Sequence, residues 1–144
     1  MPKNNYPEKF DPRNLNTQEF FSEVAIYLSL HVQRNTQKLK EKDYEAITHA
    51  SNILKETSRT LRKPRSFSDI LDNNVAEFFW RFYGEKKEET DIKESRKLSA
   101  DRLAILSDKL SMVNDLPQGE IEKLCNTCSK LSLKTGEYRN SKIY

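Results

Sequence analysis

Apolar side chains recur three and four residues apart along most of this chain, and that spacing limits the possible folds more than any other feature. Five stretches carry it, beginning near Phe21, Ile47, Val75, Leu98 and Ile121. Side chains so spaced share one face of an α-helix. No period-two alternation persists, and only 3 glycines are present, too few for a turn-rich β fold. The sequence therefore predicts an all-α protein.

Local signals predict where the first two helices begin and end. Asn16 is expected to cap a first helix over 17–42, because its short polar side chain can accept a backbone N–H. Asp43 is expected to cap the second, which ends near Lys63. Pro64 disfavours helical backbone at the residue before it.

The remaining helices are punctuated by asparagine, glycine and proline. A short helical turn is expected to open at 66–69, with the chain restarting at Asn73 or Asn74. Gly84 is placed to end the aromatic helix that follows. The fourth helix should end at 114–117, where asparagine, aspartate and proline cluster.

The expected architecture is an up-and-down bundle of four long helices plus one short helix, since short links favour antiparallel neighbours. Three prolines predict that residues 1–15 form an extended arm rather than helix. The bundle itself is expected over 16–136, with the last helix stopped at Gly136, followed by a polar basic tail at 137–144. Three arm residues are available to pin the arm to the bundle: Tyr6, Phe10 and Leu15.

Candidate catalytic groups do not assemble in this sequence. His31 and His49 lack a placed nucleophile or acid partner, and 3 dispersed glycines cannot form a phosphate-binding loop. The pair Cys125 and Cys128 is only half of a zinc-binding set and has no βαβ context for redox chemistry. Both thiols are expected to pack in the core. We expect no enzyme activity, metal or cofactor.

Basic residues gather at three helix ends. The first cluster comprises Arg59, Arg62, Lys63 and Arg65. The second comprises Lys130, Lys134, Arg139 and Lys142, and the third Arg34, Lys38, Lys40 and Lys42. Cations at a helix C-terminus stabilise the helix itself, which is one interpretation. The other is contact with nucleic-acid phosphates, and we expect two or three clusters to converge on one rim.

The stretch 78–83 is the most aromatic in the chain, and most of its side chains are expected in the core. Trp80 and Arg81 fall off that face. They are expected to stack on bases or to insert into a neighbouring subunit, because Trp and Arg are favoured interface anchors.

The aromatic helix closed by Gly84, together with the basic segment 59–65, resembles the small helical subunit of type I CRISPR effector complexes of the Cascade kind. The resemblance implies a helical bundle that packs on neighbouring subunits and holds nucleic-acid strands through basic side chains. The proline-containing arm and the acid-rich stretch 85–94 are not features that the family requires.

The sequence thus predicts a non-catalytic, cytoplasmic subunit of a nucleoprotein complex. Its partners would be nucleic-acid backbone, without sequence reading, and other protein subunits, possibly copies of itself. The net charge of +3 permits an anionic partner without requiring one. No membrane association is expected. The alternative is a protein–protein adaptor or inhibitor, such as a phage anti-defence protein, that uses the aromatic helix as its anchor.

Overall fold

The computed structural model describes residues 6–34, 40–63, 70–84 and 92–143. Within these ranges the secondary structure is helical, which confirms the predicted all-α bundle of four long helices and one short helix. The helices are α1 (Leu15–Arg34), α2 (Glu41–Arg62), α3 (Ile70–Phe82), α4 (Ile92–Ser111) and α5 (Gln118–Ile143), with a 3-10 turn at Val113–Asp115 before α5.

The bundle is built from two antiparallel helix pairs. In the first pair, α1 packs on α5: the Cys125 thiol donates to the Ala25 carbonyl at 3.3 Å, and the Ser132 hydroxyl donates to the Gln18 carbonyl at 2.8 Å. Residue numbers therefore fall along α5 as they rise along α1. The second pair consists of α2 and α4, which are also antiparallel.

Small polar side chains let α2 and α4 approach closely. The Ser51 hydroxyl donates to the Ser107 carbonyl at 2.7 Å, and the Ser107 hydroxyl donates to the Ser51 carbonyl at the same distance. Further along the pair, the Ser58 hydroxyl donates to the Ala100 carbonyl at 2.7 Å. All three serines are buried, so these bonds satisfy polar groups that would otherwise cost free energy.

Helix α3 and the N-terminal arm meet at the centre of the core. Phe10 is 2% exposed, and its ring lies 5.4 Å from Phe78 and 4.9 Å from Phe79. The arm is also tied at His49, whose Nε2 lies 2.7 Å from the Pro7 carbonyl oxygen. The predicted pinning is confirmed for Tyr6 and Phe10, whereas Leu15 begins α1 and is exposed.

Two predicted helix starts are wrong, the first by two residues and the second by three. The α1 cap is Asn14 rather than Asn16, because the Asn14 side chain accepts the backbone N–H of Asn16 at 2.9 Å. Helix α2 begins before Asp43, which lies buried in its first turn. The first helix was expected to continue to residue 42, but Lys40 has extended backbone, so α1 and α2 are separate.

The predicted ends of α2 and α3 are confirmed, whereas the predicted start of α3 is wrong. Lys63 is extended, as expected before proline, and Gly84 adopts a positive φ of 72° at the end of α3. The expected restart at Asn73 or Asn74 is wrong, because α3 runs through both and the Asn74 side chain contacts Tyr138 instead. The predicted turn at 66–69 lies outside the described residues.

The expectation that Gly136 ends the last helix is also wrong. Helix α5 continues to Ile143, so residues 137–143 of the expected polar tail are helical. A Cβ at Gly136 would lie 2.5 Å from the Gln18 Nε2 atom, so the side-chain amide of Gln18 on α1 occupies the space beside this glycine. The next turn is anchored by Tyr138, which is buried.

Candidate nucleic-acid interface

The basic cluster at the end of α2 is exposed but largely paired. Arg59 forms an ion pair with Glu56 one turn earlier, and Arg62 reaches Asp101 of α4 at 2.6 Å. Lys63 is exposed, and Arg65 lies outside the described residues. These pairs fit the interpretation in which the cations stabilise the helix end and the α2–α4 packing.

The other two predicted clusters are only partly described. Arg34 lies in α1 but its side chain is not described, Lys38 lies outside the described residues, and Lys142 lies in α5 without a described side chain. Arg139 donates to the Gln18 side-chain oxygen at 2.7 Å. Since α2 packs on α4 and α5 packs on α1, the first two clusters belong to different helix pairs.

Trp80 and Arg81 differ in their exposure. Trp80 is 7% exposed, so the expectation that it lies off the buried face is wrong. Its neighbours Phe78, Phe79 and Phe82 are also buried, which leaves little of the aromatic helix accessible. Arg81 is exposed, pairs with Glu77 at 3.3 Å and lies over the Tyr138 ring at 5.4 Å.

A cavity of about 260 Å³ separates α3 from the end of α5. Its charged lining comprises Arg81, Lys134 and Glu137, and its apolar wall includes Phe82. Lys130, one turn before Lys134, places its ammonium 5.3 Å from the centre of the Phe82 ring. The structure thus brings Arg81 of α3 beside two cations of the second predicted cluster.

A second cavity, of about 210 Å³, lies further up the same face of α5, between α5 and α4. Arg102 stacks over Tyr83 at 4.8 Å on one side of it. Lys109 and Lys123 both pair with Glu120, at 3.3 and 3.6 Å. The ammonium group of Lys109, and to a smaller extent that of Lys123, holds the pKa of the Glu120 carboxyl below its usual value.

The two cavities and Lys130 between them form one surface, which we call the α5 groove. Its cations come from three helices: Arg81, Arg102, Lys109, Lys123, Lys130 and Lys134. The carboxylates facing them are Glu77, Glu120 and Glu137. Among the described side chains, six cations lie along the groove and three carboxylates pair with them.

Sequence reasoning missed half of these cations. Lys123, Lys130 and Lys134 lie seven and four residues apart, so they share one face of α5, and that spacing was an available signal. Arg102 and Lys109 were not distinguishable from an ordinary solvated helix face. Only the packing of α4 beside α5 places them with the others.

Tyr138 fixes the wall of the groove by joining α3 to α5. Its hydroxyl donates to the Glu77 carboxylate at 2.6 Å and lies 3.0 Å from the Asn74 side-chain oxygen. Burial, reinforced by the hydrogen bond to Glu77, raises the Tyr138 pKa well above its usual value. The phenol thus holds the Glu77 carboxylate through its hydroxyl and lies beneath Arg81 through its ring.

The cysteines pack as predicted. Cys128 is fully buried among core residues, and Cys125 lies partly buried beside it. Burial raises the pKa of the Cys128 thiol to about 12. Within the part of the chain that the structure describes, no three metal-ligating side chains cluster.

No protein-family model, curated protein or solved structure matches this chain. Among the described helices, none has the length and apolar content needed to cross a bilayer.

Proposed function

We propose that this chain is a non-catalytic subunit of a nucleoprotein complex and that it binds nucleic-acid backbone along the α5 groove. The observation that supports the proposal most strongly is the alignment of six cations from three helices along one face of α5. Such a strip suits a chain of phosphates, because each neutralised phosphate releases counterions.

The kind of contact available also favours backbone binding over sequence reading. The cations of the groove are long, half-exposed side chains beside largely buried aromatic rings. They can follow a phosphate backbone, but the described groove presents no protruding helix to enter a major groove. In the proposed role, the larger assembly would be a CRISPR antiviral effector, whose small subunit this chain resembles.

The adaptor alternative depended on the aromatic helix as an anchor. Phe78, Phe79 and Trp80 are buried within the chain, so a partner protein would reach them only after the bundle opened. We therefore do not propose that helix as a docking element.

Two matched triple variants test the proposed site. The groove variant carries Lys123→Gln, Lys130→Gln and Lys134→Gln, and the control carries Arg59→Gln, Arg62→Gln and Lys63→Gln. Each removes three positive charges. We expect the groove variant to bind a fluorescent single-stranded oligonucleotide at least tenfold more weakly at low salt, because it loses three phosphate contacts.

The control variant is expected to lose much less affinity. A larger loss in the control would move the site to the end of α2 and contradict the groove assignment. Absence of binding by the unmodified chain at low salt, to both single-stranded and duplex nucleic acid, would overturn the function itself.

A further inference from the structure

The two cavities of the α5 groove repeat along one helix. The cavity beside α4, which we call the α4 cavity, is lined on α5 by Glu120, Lys123, Leu124 and Thr127. The cavity beside α3, which we call the α3 cavity, is lined on α5 by the residues 14 positions later, Lys134, Glu137, Tyr138 and Ser141. Fourteen residues make nearly four helical turns, so both cavities open on the same face of α5, about 21 Å apart along its axis.

The α5 walls of the two cavities also share their chemistry. Each has one lysine–glutamate ion pair across a single helical turn, at 3.6 Å for Lys123 with Glu120 and at 3.2 Å for Lys134 with Glu137. Each has a hydroxyl that donates to a carbonyl oxygen of α5, at 2.9 Å for Thr127 and 2.8 Å for Ser141. These hydroxyl oxygens can still accept a hydrogen bond from a ligand.

Each cavity has, in addition, a tyrosine with an arginine over its ring. The Arg102 guanidinium lies 4.8 Å from the centre of the Tyr83 ring in the α4 cavity, and the Arg81 guanidinium lies 5.4 Å from the centre of the Tyr138 ring in the α3 cavity. Apolar atoms form most of the exposed wall of both cavities, including those of Ile105, which is 57% exposed. A ligand that fits both cavities therefore repeats an apolar group beside an anionic group.

A nucleic-acid strand repeats these two groups at every nucleotide. Its bases are flat heterocycles that pack on apolar and aromatic side chains, and its phosphates bind lysine and arginine. Pockets for drug-sized ligands measure about 300–1,000 Å³. Cavities of about 210 and 260 Å³ suit a smaller group, such as a single base.

We propose that the α4 cavity and the α3 cavity each bind one base of the same strand, and that the nucleic acid bound along the α5 groove is therefore single-stranded. This inference rests on the proposed function, because the phosphates of the strand lie on the groove cations. A duplex does not bind in this way, since its bases are paired inside the double helix. The contacts do not read sequence, because every base has a π-face.

Lys130 lies between the two cavities, three residues after Thr127 and four before Lys134. Among the described residues it has no carboxylate partner, and its ammonium lies over the Phe82 ring, so it is placed to bind a phosphate between the two bases. Stacked nucleotides advance about 3.4 Å along a strand, so about six steps cover the 21 Å and a more extended strand needs fewer.

An abasic strand separates base binding from backbone binding, because it has the phosphates of oligothymidine without the bases. Fluorescence anisotropy at low salt compares the two as strands of about eight nucleotides. We expect oligothymidine to bind at least tenfold more tightly, because base stacking adds to single-strand affinity. Equal affinities, or tighter binding of a duplex of the same length, would overturn the inference and leave the proposed function standing. Absence of binding by every strand, duplex included, would overturn the function itself.

Filling the cavities tests the inference from the side of the protein. Thr127→Phe with Ser141→Phe adds a ring to each cavity and leaves every charge in place, while the control, Ser129→Phe with Asn140→Phe, adds the same rings at exposed positions of α5 outside the groove. We expect the cavity variant to bind both strands equally, with unchanged affinity for the abasic strand, which also verifies that it is folded. A cavity variant that keeps the tenfold preference, or a control that loses it, would contradict base binding.

Two thymidines in an otherwise abasic strand measure the distance between the cavities. As their separation increases, the affinity should pass through one maximum at about six steps or fewer, because only there are both bases bound at once. An affinity that does not change with the separation would contradict two linked cavities.

Discussion

Replacing Phe10 by alanine tests whether the N-terminal arm is part of the core rather than an appendage. The Phe10 ring is 2% exposed and lies between α1 and α3, with its centre 5.7 Å from Phe21, 5.4 Å from Phe78 and 4.9 Å from Phe79. Truncation removes the buried ring and leaves a cavity that rigid helices on either side cannot fill.

The burial of Phe10 sets the size of the expected loss in the free energy of unfolding. Phenylalanine-to-alanine changes in closed cores cost about 3–5 kcal/mol, and three ring contacts place Phe10 in that range. A domain of ordinary stability has about 5–15 kcal/mol in total, so the variant loses a large share. The midpoint of thermal unfolding should fall by roughly 10 °C or more.

Urea unfolding followed by circular dichroism measures this loss, with an unchanged denaturant slope indicating that only stability has altered. Lys9→Ala serves as the control, because Lys9 is exposed beside Phe10, and its change should stay within about 0.5 kcal/mol. A loss below about 1 kcal/mol for Phe10→Ala would show that the arm does not complete the core.

Three further changes have calculable outcomes. Tyr138→Phe should cost about 1.5–3 kcal/mol in urea unfolding, because it removes the hydrogen bond to the Glu77 carboxylate; a cost near zero would refute that bond. Ser51→Ala should cost about 1 kcal/mol and couple with Ser107→Ala in a double-mutant cycle, whereas strict additivity would contradict the reciprocal pair. Burial raises the pKa of the Cys128 thiol from 9.0 to about 12, so the contribution of the neutral thiol to the free energy of unfolding is complete below pH 9 and is lost as the pH rises towards 12. Cys128→Ala should therefore reduce the loss of stability at alkaline pH that urea unfolding measures. An unchanged alkaline loss of stability would contradict this reasoning.

Much of the fold could be predicted because the relevant signals are local. The three-and-four spacing of apolar residues identified the helices, and the residue before Pro64 and the glycine at position 84 marked two helix ends correctly. The failures came where tertiary contacts overrode local preference. Gly136 was expected to stop a helix, but it lies buried within α5, where the Gln18 side chain of α1 covers it. Asn74 looked like a cap, but it contacts Tyr138.

The candidate site was less predictable because it depends on which helices become neighbours. The density of basic residues in the sequence favoured the segment 59–65, where Arg59 and Arg62 pair with nearby carboxylates. Arg81 was expected to stack on bases or to insert into a neighbouring subunit, and nothing in the sequence indicated that it lies beside Lys130 and Lys134. Trp80 was expected outside the core, but a helix packed on more than one side buries residues beyond a single stripe.

The salt dependence of oligonucleotide binding tests the central claim most directly. For single-stranded nucleic acid, the logarithm of the binding constant falls with the logarithm of salt concentration by about 0.7 for each phosphate contacted. The change of Lys123, Lys130 and Lys134 to glutamine should therefore make the slope shallower by about 2, while the control variant at Arg59, Arg62 and Lys63 leaves it unchanged. An unchanged slope in the groove variant, or an equal change in both variants, would contradict binding along the α5 groove.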